Sequence, residues 1–336
     1  VQQTGYIGRY LARRLALFVL TLITAATLNF LILHLSPVDP LAAVLSRLSG
    51  RGASVEGGAR LVALYTRTFA LDRSLPVQYL IYLRNLLHGD LGYSLSYFPE
   101  RVSAVIGRAL PWSLGLLGCA AVLAFVLGNL LGALAAWPRA PRVFRVLMLL
   151  FMAFAAIPSY LVALILLYLF GYLWPLLPLG GSFTPGSAHR FDLATLLEIA
   201  QHALLPLLSI TLGLIGFWAL SMRGVMTTLV GEDYLGYARL KGLRERTIFL
   251  RYGMRNALLP QVTALAIDLG LLLSGQVVVE TIYSYPGIGT VLFNALRTAD
   301  YFVIQGVVLF IILAVAVVML LIDLLYPLLD PRVRLP

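Results

Sequence analysis

The sequence predicts an all-α polytopic membrane protein with six transmembrane helices. Three observations carry that prediction. Of 336 residues, 60% are hydrophobic and mean hydropathy is +0.90, more apolar surface than a soluble domain of this size could hide. Apolar runs recur at lengths of about 20 residues, enough to cross a hydrocarbon core as a helix. Arginines collect in the short loops on one side of these runs and are sparse in the short loops on the other. The net charge of +10 would suggest nucleic acid in a soluble chain. Here the excess sits between apolar runs, and membrane topology accounts for it.

Taken in order, Arg9, Arg13 and Arg14 precede the first run, Leu15–Leu35, so the N-terminus is expected in the cytoplasm. The run is too long for a cleavable signal and no small-residue cleavage site follows it. Asn29 and His34 inside it are expected to pack between helices. Residues 36–109 are too polar to span and are expected outside, with helices at Glu56–Phe69 and Pro76–Leu87. Span two is Leu110–Ala136. Cys119, the single cysteine, lies within it, which excludes an intrachain disulfide and a cysteine metal cluster; it is expected to be a buried packing residue.

The turn Trp137–Arg145 carries Arg139, Arg142 and Arg145 with two prolines and belongs inside. Span three is Val146–Leu173, with a kink expected at Pro158. Pro175–Gln201 is turn-rich and poor in positive charge, hence outside. Leu204–Met222 is span four, closed by Arg223. Leu258–Val279 is span five, Glu280–Phe302 is outside, and Ile304–Leu325 is span six. The core then runs from 110 to 325, and residues 326–336, with Arg332 and Arg334, end inside. One long outer segment and one long inner loop break the two-fold hydropathy symmetry usual in inverted-repeat transporters.

The inner loop, Gly231–Pro260, is the most charged stretch of the chain. Glu232 and Asp233 stand where the first turn of a helix favours anions, and Arg239 and Lys241 where the last turn favours cations. Gly242 falls where a left-handed stop is wanted. A second short helix is expected over Glu245–Asn256, and Pro260 suits the early part of the next span. Such a loop serves equally as a docking element or as a solvated basic loop satisfying the charge rule.

The residues themselves tip the balance. Glu232-Asp233-Tyr234, Ala238-Arg239, Lys241-Gly242-Leu243, Arg255-Asn256-Ala257 and Leu259-Pro260 resemble the cytoplasmic EAA loop of permeases of ATP-binding-cassette importers, in the dipeptide and oligopeptide branch. Gly236-Tyr237 stand where other branches have Glu-Ala. Leu71-Asp72, Pro76, Gln78-Tyr79 and His88–Gly92 with Ser94 are similar to the outer domain of that branch. Glu280–Gly289, Asp300–Phe310 and Leu321–Arg334 are similar to its C-terminal third.

The resemblance implies the type I importer permease fold and a loop, residues 228–257, that couples to an ATPase subunit. It implies contact residues Glu232, Asp233, Tyr234, Ala238, Arg239, Lys241, Gly242, Arg255, Asn256 and Pro260. It also implies partners: a second similar permease, two ATPase chains that hold ATP and magnesium, an extracytoplasmic substrate-binding protein and the lipid bilayer. Relatives in the branch carry peptides, nickel complexes, opines and oligosaccharides.

No cofactor, metal or nucleic acid is expected on this chain, and no catalytic constellation is present. Its one lysine, Lys241, lies in RLKGL, so the phosphate-binding GxxxxGK[ST] signature is excluded. Two features remain for a transport path. Asp268 falls in mid-span, where a carboxylate costs about 2.5–3.5 kcal/mol and usually faces a cavity or a partner. It is a candidate for contact with a cationic substrate group, for an interhelix hydrogen bond, or for the ion site of a secondary transporter working alone. The segment with Glu280, Tyr283, Tyr285, Pro286 and Gly287 is a candidate lining of the outer mouth. Pro286-Gly287 there is expected as positions two and three of a type II turn.

Overall fold

The computed structural model describes residues 2–35, 66, 73–184 and 192–329. Among them the chain is helical. Its elements are α1 (Gln2–His34), α2 (Leu75–Leu87), α3 (Val102–Ala136), α4 (Val143–Ala155), α5 (Ser159–Leu166, continued as a wider π-turn over Leu167–Leu173), α6 (Leu193–Val230), α7 (Asp233–Leu240), α8 (Glu245–Thr247, continued as a π-turn over Ile248–Met254), α9 (Arg255–Gly275), α10 (Val277–Ile282), α11 (Ile288–Arg297) and α12 (Tyr301–Leu329). The expected helix Glu56–Phe69 and the Leu71-Asp72 pair lie outside the described residues, Thr66 excepted.

Four of these helices are long and apolar enough to cross a membrane: Ala12–Ile32 within α1, then α3, α6, and Tyr301–Leu321 within α12. The pair α4 and α5 makes a fifth if its two arms are one span. The expectation of six is met at five positions at most among the described residues. The helix at the expected fifth span, α9, is not among those that qualify.

Several boundaries move. Span two begins eight residues early, and α3 runs through Pro111. Span four lengthens at both ends into the 38-residue α6, so much of the expected outer loop before it is helix. Asp192 starts α6 by accepting the Thr195 backbone N–H at 2.9 Å, which also holds its carboxyl below the usual range. At Pro158 the chain does not kink but breaks: α4 and α5 meet at 102°. Cys119 is exposed on α3, not buried. A helix apolar all round has no face by which sequence could assign it inward.

The chain forms two compact units, residues 1–111 with 287–336, and residues 112–286. Division by packing thus cuts across division by topology. In the first unit α1 and α12 pair, and the Asn29 amide donates to the Gln305 carbonyl at 3.0 Å, the packing role expected of Asn29. The N-terminal end of α3 joins α11 and α12 through Val102, Ile106, Ala109, Ile288, Ala295, Val303 and Val307. Buried Asp300 ties the turn before α3 to α12. It accepts Ser94 Oγ at 2.5 Å and the Ser96 N–H at 2.8 Å, and receives the Val303 N–H at 3.3 Å.

The second unit is built around α6. In lipid no hydrophobic force drives helices together, so close approach of backbones supplies the packing. Glycines permit it here. A Cβ on Gly128 would fall 2.5 Å from the Trp218 Cβ, and one on Gly132 would collide with the Ala219 carbonyl. On the other side of α6, a Cβ on Gly216 would collide with the Phe151 carbonyl of α4. The spacing Gly128-x-x-x-Gly132 is the small-residue pattern of close helix pairs.

Gly132→Val is therefore expected to cost about 1–3 kcal/mol by overpacking against backbone. Gly118→Ala, with nothing within 4 Å of the added Cβ, is expected to be silent. Thermal unfolding of the two purified variants in detergent checks this; equal stability of both would contradict the packing of α3 on α6.

Candidate functional site

Two groups of sequence-selected residues come together in the second unit, one around the charged loop and one around Tyr283.

The loop is folded as expected up to Gly242. α7 begins at Glu232 and Asp233, has Arg239 in its last turn, and passes through Lys241 to Gly242 at φ +74°. That left-handed φ is why glycine stands there. The second short helix is not separate. The chain runs from Glu245 through the π-turn into α9, so the loop is continuous with the helix after it, and Pro260 lies inside α9.

What fixes the loop is a cluster that the sequence reading did not single out. Trp137, the residue that follows α3, is buried with Ala133, Met222, Met226, Leu235, Ala238, Ile248 and Ala257. Its ring meets Phe249 edge-on at 5.2 Å, and the Arg239 guanidinium sits 5.8 Å above it. Gly253 lies against the same ring, leaving a Cβ there only 3.2 Å from it. Glu245 pairs with Arg139 of the α3–α4 turn and with Arg239 of α7, the latter at 3.3 Å. Tyr234 donates to the Tyr252 carbonyl at 3.3 Å, and the Asn256 amide donates to that carbonyl at 2.9 Å and to the Tyr234 oxygen at 3.3 Å.

The ten loop candidates therefore divide. Ala238 is buried, and Tyr234, Arg239 and Asn256 are engaged within the loop, so these four build it. Glu232, Asp233, Lys241, Gly242, Arg255 and Pro260 are exposed. Between the exposed charges stand Tyr237, 66% exposed, and Leu240, 84% exposed. Leu235 and Ala238 point in while Tyr237 and Leu240 point out, so α7 offers an apolar tip among charges. Trp137 and Glu245 carried a signal that could have been used: a tryptophan closing a span beside a basic turn, and a lone carboxylate between Arg244 and Arg246.

At the other end, Glu280 and Tyr283 on α10 and the turn after it, with Tyr285, are buried. Glu280 accepts Ser113 Oγ of α3 at 2.6 Å. The Tyr283 hydroxyl donates to the Ala163 carbonyl of α5 at 2.9 Å and lies 3.0 Å from Ser209 Oγ of α6. Its carbonyl accepts the Gly181 N–H at 2.8 Å, and a Cβ on Gly180 would collide with that carbonyl. Trp112 stacks edge-on against both Tyr285, at 5.8 Å, and Phe183, at 5.6 Å. Burial pushes both tyrosine hydroxyls up to about 12, so each stays a donor.

The expected type II turn is absent. Gly287 has φ −88° and begins α11, and the left-handed residue of the segment is Ser284 at φ +48°. Pro286 precedes that helix start. Asp268 lies on α9 and is half-buried.

Residues 128–335 match the family described as binding-protein-dependent transport system inner membrane component. A Brucella ovis protein that carries the name of a peptide permease is 35% identical over 326 residues, covering 97% of this chain and 99% of its own. A dipeptide transport system permease protein of Escherichia coli K12 is 32% identical over 345 residues, 97% and 98%. A glutathione transport system permease protein of Pectobacterium atrosepticum is 30% identical over 325 residues, 97% and 98%.

Trp137→Ala removes the centre of the inner cluster and is expected to cost about 3–5 kcal/mol locally. Leu240→Ala, at an exposed position, is expected to leave stability unchanged. Limited proteolysis of residues 231–256 in the purified chain checks both; a loop equally resistant in wild type and Trp137→Ala would contradict the clamp.

Proposed function

The chain belongs to the family of binding-protein-dependent transport system inner membrane components, and on that premise we propose that it is the permease subunit of an ATP-driven importer of di- or oligopeptides. It is a multi-pass membrane protein. Both termini lie in the cytoplasm on this reading. Its partners are a second similar permease, two ATPase chains that carry ATP and magnesium, and an extracytoplasmic substrate-binding protein. The names of the relatives support the peptide class. The binding protein selects the substrate, and nickel complexes or oligosaccharides would use the same machinery.

The observation that carries the reading is the exposed tip of α7 on a clamped base. Tyr237 and Leu240, with Glu232, Asp233, Lys241 and Arg244 nearby in sequence, form an exposed apolar tip among charges, a pattern that suits docking onto a partner. Its base is tied to α3, α6 and α9 through Trp137, Met226 and Glu245. A cleft on an ATPase subunit that takes the tip would move these helices when nucleotide closes the ATPase pair. Arg139, held by Glu245, brings the α3–α4 turn into the same moving part. Without the partner's nucleotide chemistry this chain has no source of work.

The transport path uses Asp268 and the segment Glu280, Tyr283, Tyr285, Pro286 and Gly287 on this reading. Asp268 contacts the amine of a passing peptide. The buried tyrosines and Glu280 position the outer mouth, through their hydrogen bonds to α3, α5 and α6, and do not face the substrate themselves.

Reconstitution with the partner chains tests the proposal: uptake of a dipeptide into vesicles should require ATP and the binding protein, and ATP-independent uptake by this chain alone would refute it. Gly242→Val forces a β-branched residue to φ +74°, which costs on the order of 1–3 kcal/mol. It is expected to insert normally yet lose uptake, through hydrolysis without transport or loss of the ATPase chains on purification. Full coupled transport by that variant would count against docking. Asp268→Asn is expected to reduce uptake of peptides with a free amine relative to amine-blocked ones; an unchanged ratio removes Asp268 from the path.

A further inference from the structure

Helix α2 buries none of its residues, although it is mostly apolar. One side is engaged. Tyr79 O–H lies 2.6 Å from Thr27 Oγ1, and the Phe30 ring sits 5.3 Å from that of Tyr79 and 5.4 Å from that of Tyr82. Thr27 and Phe30 belong to the apolar stretch Ala12–Ile32 of α1. At a rise of about 1.5 Å per residue, Thr27 lies roughly 7–8 Å below the outer end of that stretch. Two tyrosines of an outer segment therefore reach down to the depth of acyl chains.

A second stripe of α2 runs through Pro76, Leu80, Leu83 and Leu87, at helical spacing i, i+4, i+7 and i+11. Leu80 is 64% exposed and Leu87 is 88% exposed. On α1, against which α2 packs, Leu28, Leu31 and Ile32 are exposed apolar residues too. On the opposite side stand Gln78 and Asn85. The single charge, Arg84, is in the last turn, long enough to reach a headgroup from the stripe's edge. Tyrosine pairs, one terminal arginine and an amphipathic helix are the marks of a segment lying in a membrane interface.

We infer that α2 lies in the outer leaflet of the bilayer, with Leu80 and Leu87 among the acyl chains and Gln78 facing water. The occupant of the stripe is lipid, because α2 packs against the stretch of α1 that is long and apolar enough to cross the membrane. Helix α2 then rests on the membrane beside the first span, and the described residues beyond His88 face the aqueous side.

The test places single cysteines at Leu80, Leu87, Gln78 and Asp90 in a Cys119→Ser background of the full-length chain, returned to lipid vesicles. Each carries a nitroxide whose relaxation by oxygen and by a water-soluble nickel chelate is compared. Labels at 80 and 87 are expected to be several-fold more accessible to oxygen than to the chelate, with the order reversed at 78 and 90. A separate fluorophore at Leu87 is expected to be quenched by lipids brominated on the acyl chain. Chelate access at 80 and 87 equal to that at 90 would overturn the inference in favour of a water-exposed helix. Protection from both reagents, with no quenching, would overturn it in favour of a protein cover.

Discussion

The inner half of the second unit depends on one side chain, Trp137, being walled on every side. Hydrophobic contact from Met226 and Ile248, the edge of Phe249, the Arg239 guanidinium and the absence of a Cβ at Gly253 all meet at this ring. These neighbours come from three elements: Met226 from α6, Arg239 from α7, and Ile248, Phe249 and Gly253 from the π-turn before α9. A loop held only by surface ion pairs would be worth little, since exposed pairs contribute on the order of 0–1 kcal/mol. The Glu245 pairs with Arg139 and Arg239 set the register of a contact whose strength comes from burial. A polar loop in a lipid protein is thereby tied to the helix ends by buried apolar contacts.

The same unit shows where a push would go. α6 runs for 38 residues, about 57 Å at helical rise, and belongs to both ends. Met222 and Met226 sit in the inner cluster, while Leu205, Ser209 and Ile210 sit against Tyr283 at the outer one. Between them, Gly132 and Gly216 let α3 and α4 lie backbone to backbone on the helix. Interfaces this close do not stretch; they move as blocks or slide between discrete packings. The break at Pro158 and the π-turns after α5 and before α9 are where the ladder of i to i−4 hydrogen bonds is already interrupted.

Much of this was legible in residues. Gly242 could be read because a charged, well-capped short helix must stop somewhere, and only glycine takes φ +74° there without strain. The class followed from apolar length, and so did up to five of the six expected spans among the described residues. Prolines were less informative. Pro111, Pro206 and Pro260 pass inside helices, while Pro158 ends one at a right angle. A missing N–H says where a ladder is cut, not what the surrounding helices do about it. The turn at Pro286-Gly287 was misread for a related reason: burial of Tyr283 and Tyr285 on either side forces the left-handed residue onto Ser284. Trp137 and Glu245 gained their roles only by meeting residues about 100 positions apart in the chain, a contact that no local pattern announces.

Whether the loop and the helix ends form one rigid body is the point on which the account stands. Spin labels at Arg246 and Arg142, both exposed and neither part of the apolar tip, span the charged loop and the α3–α4 turn within the second unit. Their distance distribution can be measured in the complex with its ATPase chains, nucleotide-free and trapped with ATP. A single narrow distribution, unchanged between the two states, is the predicted result. A shift of several ångströms on trapping would mean that the loop swings on its base, and the lever would be no lever.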